Sequence, residues 1–97
     1  MFFEVDLGTE SRAIWERKVR GYLALATSGA FSQDFQQAQF RVLAVTTSDR
    51  RLESLRVATR KVTEKVFWFT TFESIQQAGF WSAVWLRPSG DKLQALV

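Results

Sequence analysis

Three apolar runs, each four residues long, constrain this chain more than any other feature: Val42-Leu43-Ala44-Val45, Val66-Phe67-Trp68-Phe69 and Ala83-Val84-Trp85-Leu86. A continuous apolar run of this length suits a strand covered on both faces. None approaches the ~18 residues of a membrane span, so no membrane partner is expected. Segments with helical periodicity separate the runs. Over residues 10–28, Trp15, Val19, Tyr22, Leu23 and Ala26 recur at helical spacing, and Gly29 offers a stop. Residues 49–63, capped by Thr47-Ser48-Asp49, carry an apolar stripe of Leu52, Leu55, Val57, Ala58 and Val62.

Four strands are expected, over residues 2–7, 41–46, 66–70 and 82–87. A short helix over 71–78 is introduced by a Thr70-x-x-Glu73 capping box and ended by Gly79. Gly8-Thr9 breaks the first strand and offers the cap of the first helix. Residues 32–39 form a Gln-rich polar connection with room for one helical turn around Phe35, Pro88-Ser89-Gly90 is a turn, and 92–97 a short strand or tail. The order β-α-β-α-β-α-β predicts an α/β fold of three layers around a mostly parallel or mixed sheet. One domain over residues 1–97 accounts for the length.

The chain has no Cys and no His. That excludes disulfides, thiolate nucleophiles, Cys-based zinc sites and imidazole bases. What remains is oxygen-ligated metal with Lys or Tyr, and among metals Mg²⁺, Mn²⁺ or Ca²⁺. A net charge of +3 permits a nucleic-acid partner without requiring one. The N-terminus lacks the basic and apolar regions of a signal peptide, so the chain reads as cytoplasmic. Nine Phe and four Trp read first as core; Trp81, in a turn after Gly79-Phe80, is the one Trp read as a functional candidate.

Candidate chemistry lies at three places. Glu4 and Asp6 share one face of the first strand with Phe2, ~7 Å apart from the strand rise. Two readings stay open: a Mg²⁺ site built on both carboxylates, or a half-exposed strand with Phe3, Val5 and Leu7 inward and the acids outward. Lys18 lies between Trp15 and Tyr22 on the first helix. It either neutralises a phosphate or lays its stem over the two rings, and the Tyr22 hydroxyl is a phosphate contact or the wet tip of a core ring. The second helix is basic: Arg50, Arg51, Arg56, Arg60 and Lys61 offer a phosphate-binding ridge or a solvated face with Glu53–Arg56 pairing.

Read together, Phe2-Phe3-Glu4-Val5-Asp6-Leu7-Gly8-Thr9-Glu10 with Lys18 and Tyr22, then Val42-Leu43-Ala44-Val45-Thr46 with Arg50-Arg51-Leu52, then Phe67-Trp68-Phe69-Thr70, resemble the C-terminal part of the replication-relaxation family. These are bacterial proteins associated with plasmid replication and DNA relaxation. The likeness spans most of residues 2–87, and the first block is its most specific part. It implies a partial restriction-endonuclease-like fold and a C-terminal fragment of a longer protein with an upstream DNA-binding region, which leaves open whether Met1 is the true start. It implies DNA, or proteins of plasmid replication or relaxation, as partners. In that superfamily the active strand ends in acid-x-Lys, with another acid on a preceding strand. Here Asp6 stands in the place of the Lys, Lys18 is the candidate for a displaced one, and the preceding acid would lie before Met1. The resemblance therefore implies a nuclease-like domain that holds DNA or a partner without a complete cutting site. The alternatives are a Mg²⁺-dependent DNA nuclease using Glu4, Asp6 and Lys18, and an α/β interaction module. A strand that opens the chain also leaves a sheet edge through which a homo-oligomer can form.

Overall fold

The computed structural model describes residues 1–27 and 40–97. The expected polar connection over 32–39 lies outside the described residues. Three strands, β1 (Phe2–Asp6), β2 (Val42–Thr46) and β3 (Phe67–Thr71), form a parallel sheet in the order β1-β2-β3. Among the described residues three helices accompany them: α1 (Arg12–Thr27), α2 (Asp49–Arg60) and α3 (Phe72–Ala78). The fold is α/β, as the alternation of elements predicts.

Parallel neighbours joined in sequence need crossovers of one hand, which place successive helices on one face. α1 and α2 accordingly share a face of the sheet, and the main core fills the space between. Trp15 and Val19 of α1, Leu52, Leu55 and Ala58 of α2, and Val42, Ala44, Phe67 and Phe69 of the sheet form it. The Trp15 indole donates to Thr59 Oγ1 at 2.8 Å, and Thr59 donates on to the Leu55 carbonyl at 2.7 Å. This ties α1 to α2 through a buried polar link that leaves neither group unpaired. Cutting Trp15 to Ala would cost about 3–5 kcal/mol by the usual scale for buried aromatics.

A smaller core of Leu43, Val45, Trp68, Val84, Trp85 and Leu96 covers the other face of β2 and β3. It does not extend across β1. Phe3, Val5 and Leu7 are therefore exposed by 55, 58 and 65%, while Asp6 is 2% exposed. This reverses the strand reading that put the apolar residues inward and the acids outward. The acids face the helix layer, and Phe2 packs between the rings of Tyr22 (5.6 Å) and Phe40 (5.2 Å).

The expected fourth strand is also corrected. Residues 82–87 supply only an antiparallel bridge, Phe69 with Leu86, and Trp85 bridges Gln94. A parallel connection needs a dozen or more residues to cross the sheet. The seven-residue α3 and its turn return the chain antiparallel instead. The helix caps shift by one or two residues as well. Ser11 Oγ, not Thr9, accepts from the Ile14 N–H at 3.2 Å. Thr71, not Thr70, caps α3 by accepting from the Ser74 N–H at 3.1 Å. Thr70 Oγ1 is left buried without a hydrogen-bond partner. Among the described residues, no helix is long and apolar enough to cross a membrane.

Candidate functional site

β1 presents Glu4 and Asp6 to the helix layer, and each meets different partners. Beside Glu4, α1 places Lys18 and Tyr22 one turn apart. Lys18 Nζ donates to Glu4 Oε1 at 3.1 Å, and the Tyr22 hydroxyl donates to Glu4 Oε2 at 2.5 Å. Lys18 also reaches Glu10, 2.8 Å from Oε2. The hydrogen bond to Glu10 holds the ammonium above its ordinary value, with Glu4 adding to it. Burial, then the bond to Glu4, pushes the Tyr22 phenol up to about 12. Tyr22 is therefore a neutral donor across the physiological range. Glu4, Lys18 and Tyr22 border a shallow groove between α1 and β1.

Asp6, at the carboxyl end of β1, is enclosed. Arg51 of α2 grips it with both arms of the fork, Nε to Oδ2 at 2.8 Å and Nη2 to Oδ1 at 2.9 Å. Thr46 of β2 donates to Oδ2 at 2.6 Å, and the Gly8 N–H does so at 3.2 Å. Gly8 has a φ of 78°, in the left-handed region that favours glycine. Burial alone would raise the Asp6 carboxyl; Arg51, Thr46 and Gly8 outweigh it and hold it below 3.8. Asp6 raises Arg51 in turn. Arg51 Nη2 further donates to the Glu10 carbonyl at 2.8 Å, which links the Asp6 cluster to the chain leading into α1.

A carboxylate offers about four lone-pair sites, and Asp6 already accepts four bonds. Three of those bonds fall on Oδ2, so a Mg²⁺ ion on Glu4 and Asp6 would have to bind beside the Arg51 guanidinium or displace it. Among the described residues no group of three acids is placed to hold a metal ion. Glu4 and Lys18 come together, whereas Asp6 pairs with Arg51.

The basic helix divides. Arg50 and Lys61 are exposed. Arg51 is committed to Asp6. Arg56 is 3% exposed, paired with Glu53 at 2.7 Å, and donates to the carbonyls of Arg87 and Gly90. Arg60 donates to the Pro88 carbonyl at 2.9 Å. The expected ridge of Arg56 and Arg60 is thus a brace holding the 87–90 turn against α2. Helical spacing carries the signal for this: Arg56 lies four residues after Leu52 and three before Thr59, both buried. Arg51 as the partner of Asp6, 45 residues away, has no comparable sequence signal. Trp81 is 60% exposed, its ring 4.9 Å from that of Phe80.

No protein-family model, curated protein or solved structure matches this chain.

Proposed function

We propose that this chain is a nuclease-like DNA-binding domain of plasmid or mobile-element DNA processing, one that holds DNA without cutting it. The resemblance to the replication-relaxation family motivates the reading. One observation carries it: the acid at the carboxyl end of β1 is buried and paired with the Arg51 fork, with Thr46 and Gly8 donating to the same carboxylate. In a parallel sheet the carboxyl ends of the strands are the usual place for ligands. Here that place holds a neutralised ion pair, beside an open hollow bordered by Gly8, Thr47, Ser48 and the exposed Arg50. Such a surface suits phosphate contact without metal-assisted hydrolysis. A partial restriction-endonuclease-like fold is the finer architecture this reading implies.

Fluorescence anisotropy of a labelled duplex, titrated between about 50 and 200 mM salt, tests it. Phosphate contacts from Arg50 and Lys61 alone would weaken binding about tenfold over that range. Supercoiled plasmid incubated with Mg²⁺ or Mn²⁺ should stay intact. Cleavage that Asp6→Ala abolishes would favour the nuclease reading. No binding at the lowest salt would leave an interaction module whose partner is protein.

A further inference from the structure

At the amino ends of β2 and β3, opposite the Asp6 cluster, three cations line one hollow of about 340 Å³: Arg41, Lys65 and Arg87. No Asp or Glu among the described residues lines it, and none forms an ion pair with any of the three. Among the described residues, the side-chain hydrogen bonds of Arg41 and Arg87 go to neutral carbonyls. Arg41 Nη1 donates to Leu96 at 2.5 Å, while Arg87 donates to Phe67 at 2.9 Å and to Glu64 at 3.4 Å. Each guanidinium has five N–H donors, so most remain for a ligand. Both guanidiniums lie over the Trp68 ring, 4.9 and 4.4 Å from its centroid. Burial, then the neighbouring Arg41, lowers Arg87 from its ordinary value, as expected of like charges crowded together without an anion.

A second observation falls at the same place. Val66, which lines the hollow, has a φ of 63° and is the one non-glycine residue at positive φ among the described residues. A β-branched residue in that region is strained, and such strain persists where the surrounding structure enforces it, commonly at ligand sites. Val66 is held by its carbonyl, which accepts from the Val42 N–H at 2.8 Å. That bond fixes the turn that brings Lys65 to the hollow's rim.

We propose that this hollow binds a nucleoside phosphate, its phosphate monoester set among Arg41, Lys65 and Arg87 and its base against the partly exposed apolar side chains of Leu23 and Val66. A phosphate monoester near neutral pH carries close to two negative charges and three acceptor oxygens, which suits three cations that no described carboxylate pairs, two with forked donors. The volume lies at the small end of ligand pockets, about 300–1,000 Å³, which suits one nucleotide and not a length of polymer. The inference goes beyond the duplex binding proposed through Arg50 and Lys61 and stands whether or not that binding occurs.

Titration calorimetry on the full chain tests it, with adenosine 5′-monophosphate, adenosine and inorganic phosphate as probes. The monophosphate should bind about tenfold more tightly than either fragment, since both the charge and the apolar side chains are used. Lys65→Ala removes an exposed side chain without a structural bond and should weaken the monophosphate about fivefold, with circular dichroism unchanged. Arg41→Gln should weaken it about tenfold; if that variant fails to fold, Lys65→Ala carries the test. Equal binding of adenosine and its monophosphate, or affinities untouched by Lys65→Ala, would overturn the site. Inorganic phosphate binding as tightly as the nucleotide would overturn the nucleoside assignment. A 5′-phosphorylated oligonucleotide against its 5′-hydroxyl form separates the two sources of the same chemistry. Preference for the phosphorylated end over the free nucleotide assigns the site to a strand end, and the reverse to a free nucleotide.

Discussion

Asp6 and Arg51 form a two-pronged ion pair that joins the end of β1 to the first turn of α2, with side chains 1 and 16% exposed. Breaking a buried pair leaves one charge uncompensated, which typically costs about 3–5 kcal/mol. Arg51→Ala should therefore lose stability of that order in urea unfolding, and Arg51→Lys an intermediate amount, since an ammonium cannot span both oxygens. The double variant Asp6→Asn with Arg51→Met should recover part of the loss. A double variant no more stable than Arg51→Ala would show that the pair's geometry, not its charge, holds the two elements.

The same pair sets an acid limit. The folded-state Asp6 carboxyl lies below its ordinary 3.8, so its contribution to stability is present above that value. It is lost as the pH falls through the lower folded value, where the native carboxylate must take up a proton. Urea midpoints measured between neutral pH and the acid range should fall below pH 3.8 in the wild type. In Asp6→Asn the midpoint should already be reduced at neutral pH, and its further drop with acid should be smaller. Parallel acid profiles for the two proteins would count against the linkage.

How far the sequence determines these features depends on the range of the interaction. The apolar runs of β2 and β3 and the 3.6-residue periodicity of α1 and α2 are local, and each forms where its pattern predicts. The alternation in β1 shows that Phe3, Val5 and Leu7 share a face, but not which face is inward. That is settled by the side on which α1 and α2 lie, and by Lys18, Tyr22 and Arg51 arriving to receive the acids. The apolar run at residues 83–86 carries no direction, so the short connection, rather than composition, makes its pairing antiparallel. The convergence of Arg41, Lys65 and Arg87 depends on three segments meeting at one end of the sheet, and no single window of sequence contains it.

Tyr22 is the only tyrosine in the chain, so its phenol can be titrated without labels. Its folded value of about 12 lies above the ordinary 10.0. The stability this contributes is fully present below pH 10.0 and is lost as the pH rises through about 12. Phenolate absorbance should rise late in the wild type. Glu4→Gln removes the charge that opposes ionisation and should move the midpoint toward the ordinary value, burial alone holding it partly up. An unmoved midpoint in Glu4→Gln would assign the whole shift to burial and remove Glu4 from the phenol's electrostatics.

β1 is an edge strand whose exposed face carries Phe3, Val5 and Leu7, with Met1 and Trp81 each 60% exposed. Phe80 reaches this face, its ring 5.8 Å from that of Phe3, but does not cover it. Monomeric proteins rarely leave apolar patches above a few hundred Å² open, and an edge with no further strand among the described residues adds backbone donors and acceptors for pairing. Self-association that grows with concentration is therefore expected in size-exclusion chromatography with light scattering. Val5→Lys places a charge in the middle of the face, the device by which natural edge strands resist pairing. It should raise the concentration at the association midpoint about tenfold, equivalent to about 1.4 kcal/mol. Lys61→Ala, an exposed residue at the end of α2 on the opposite face of the sheet, should leave the midpoint unchanged. A wild-type protein that stays monomeric from micromolar to millimolar concentration would show that the edge and its apolar face do not drive pairing between copies.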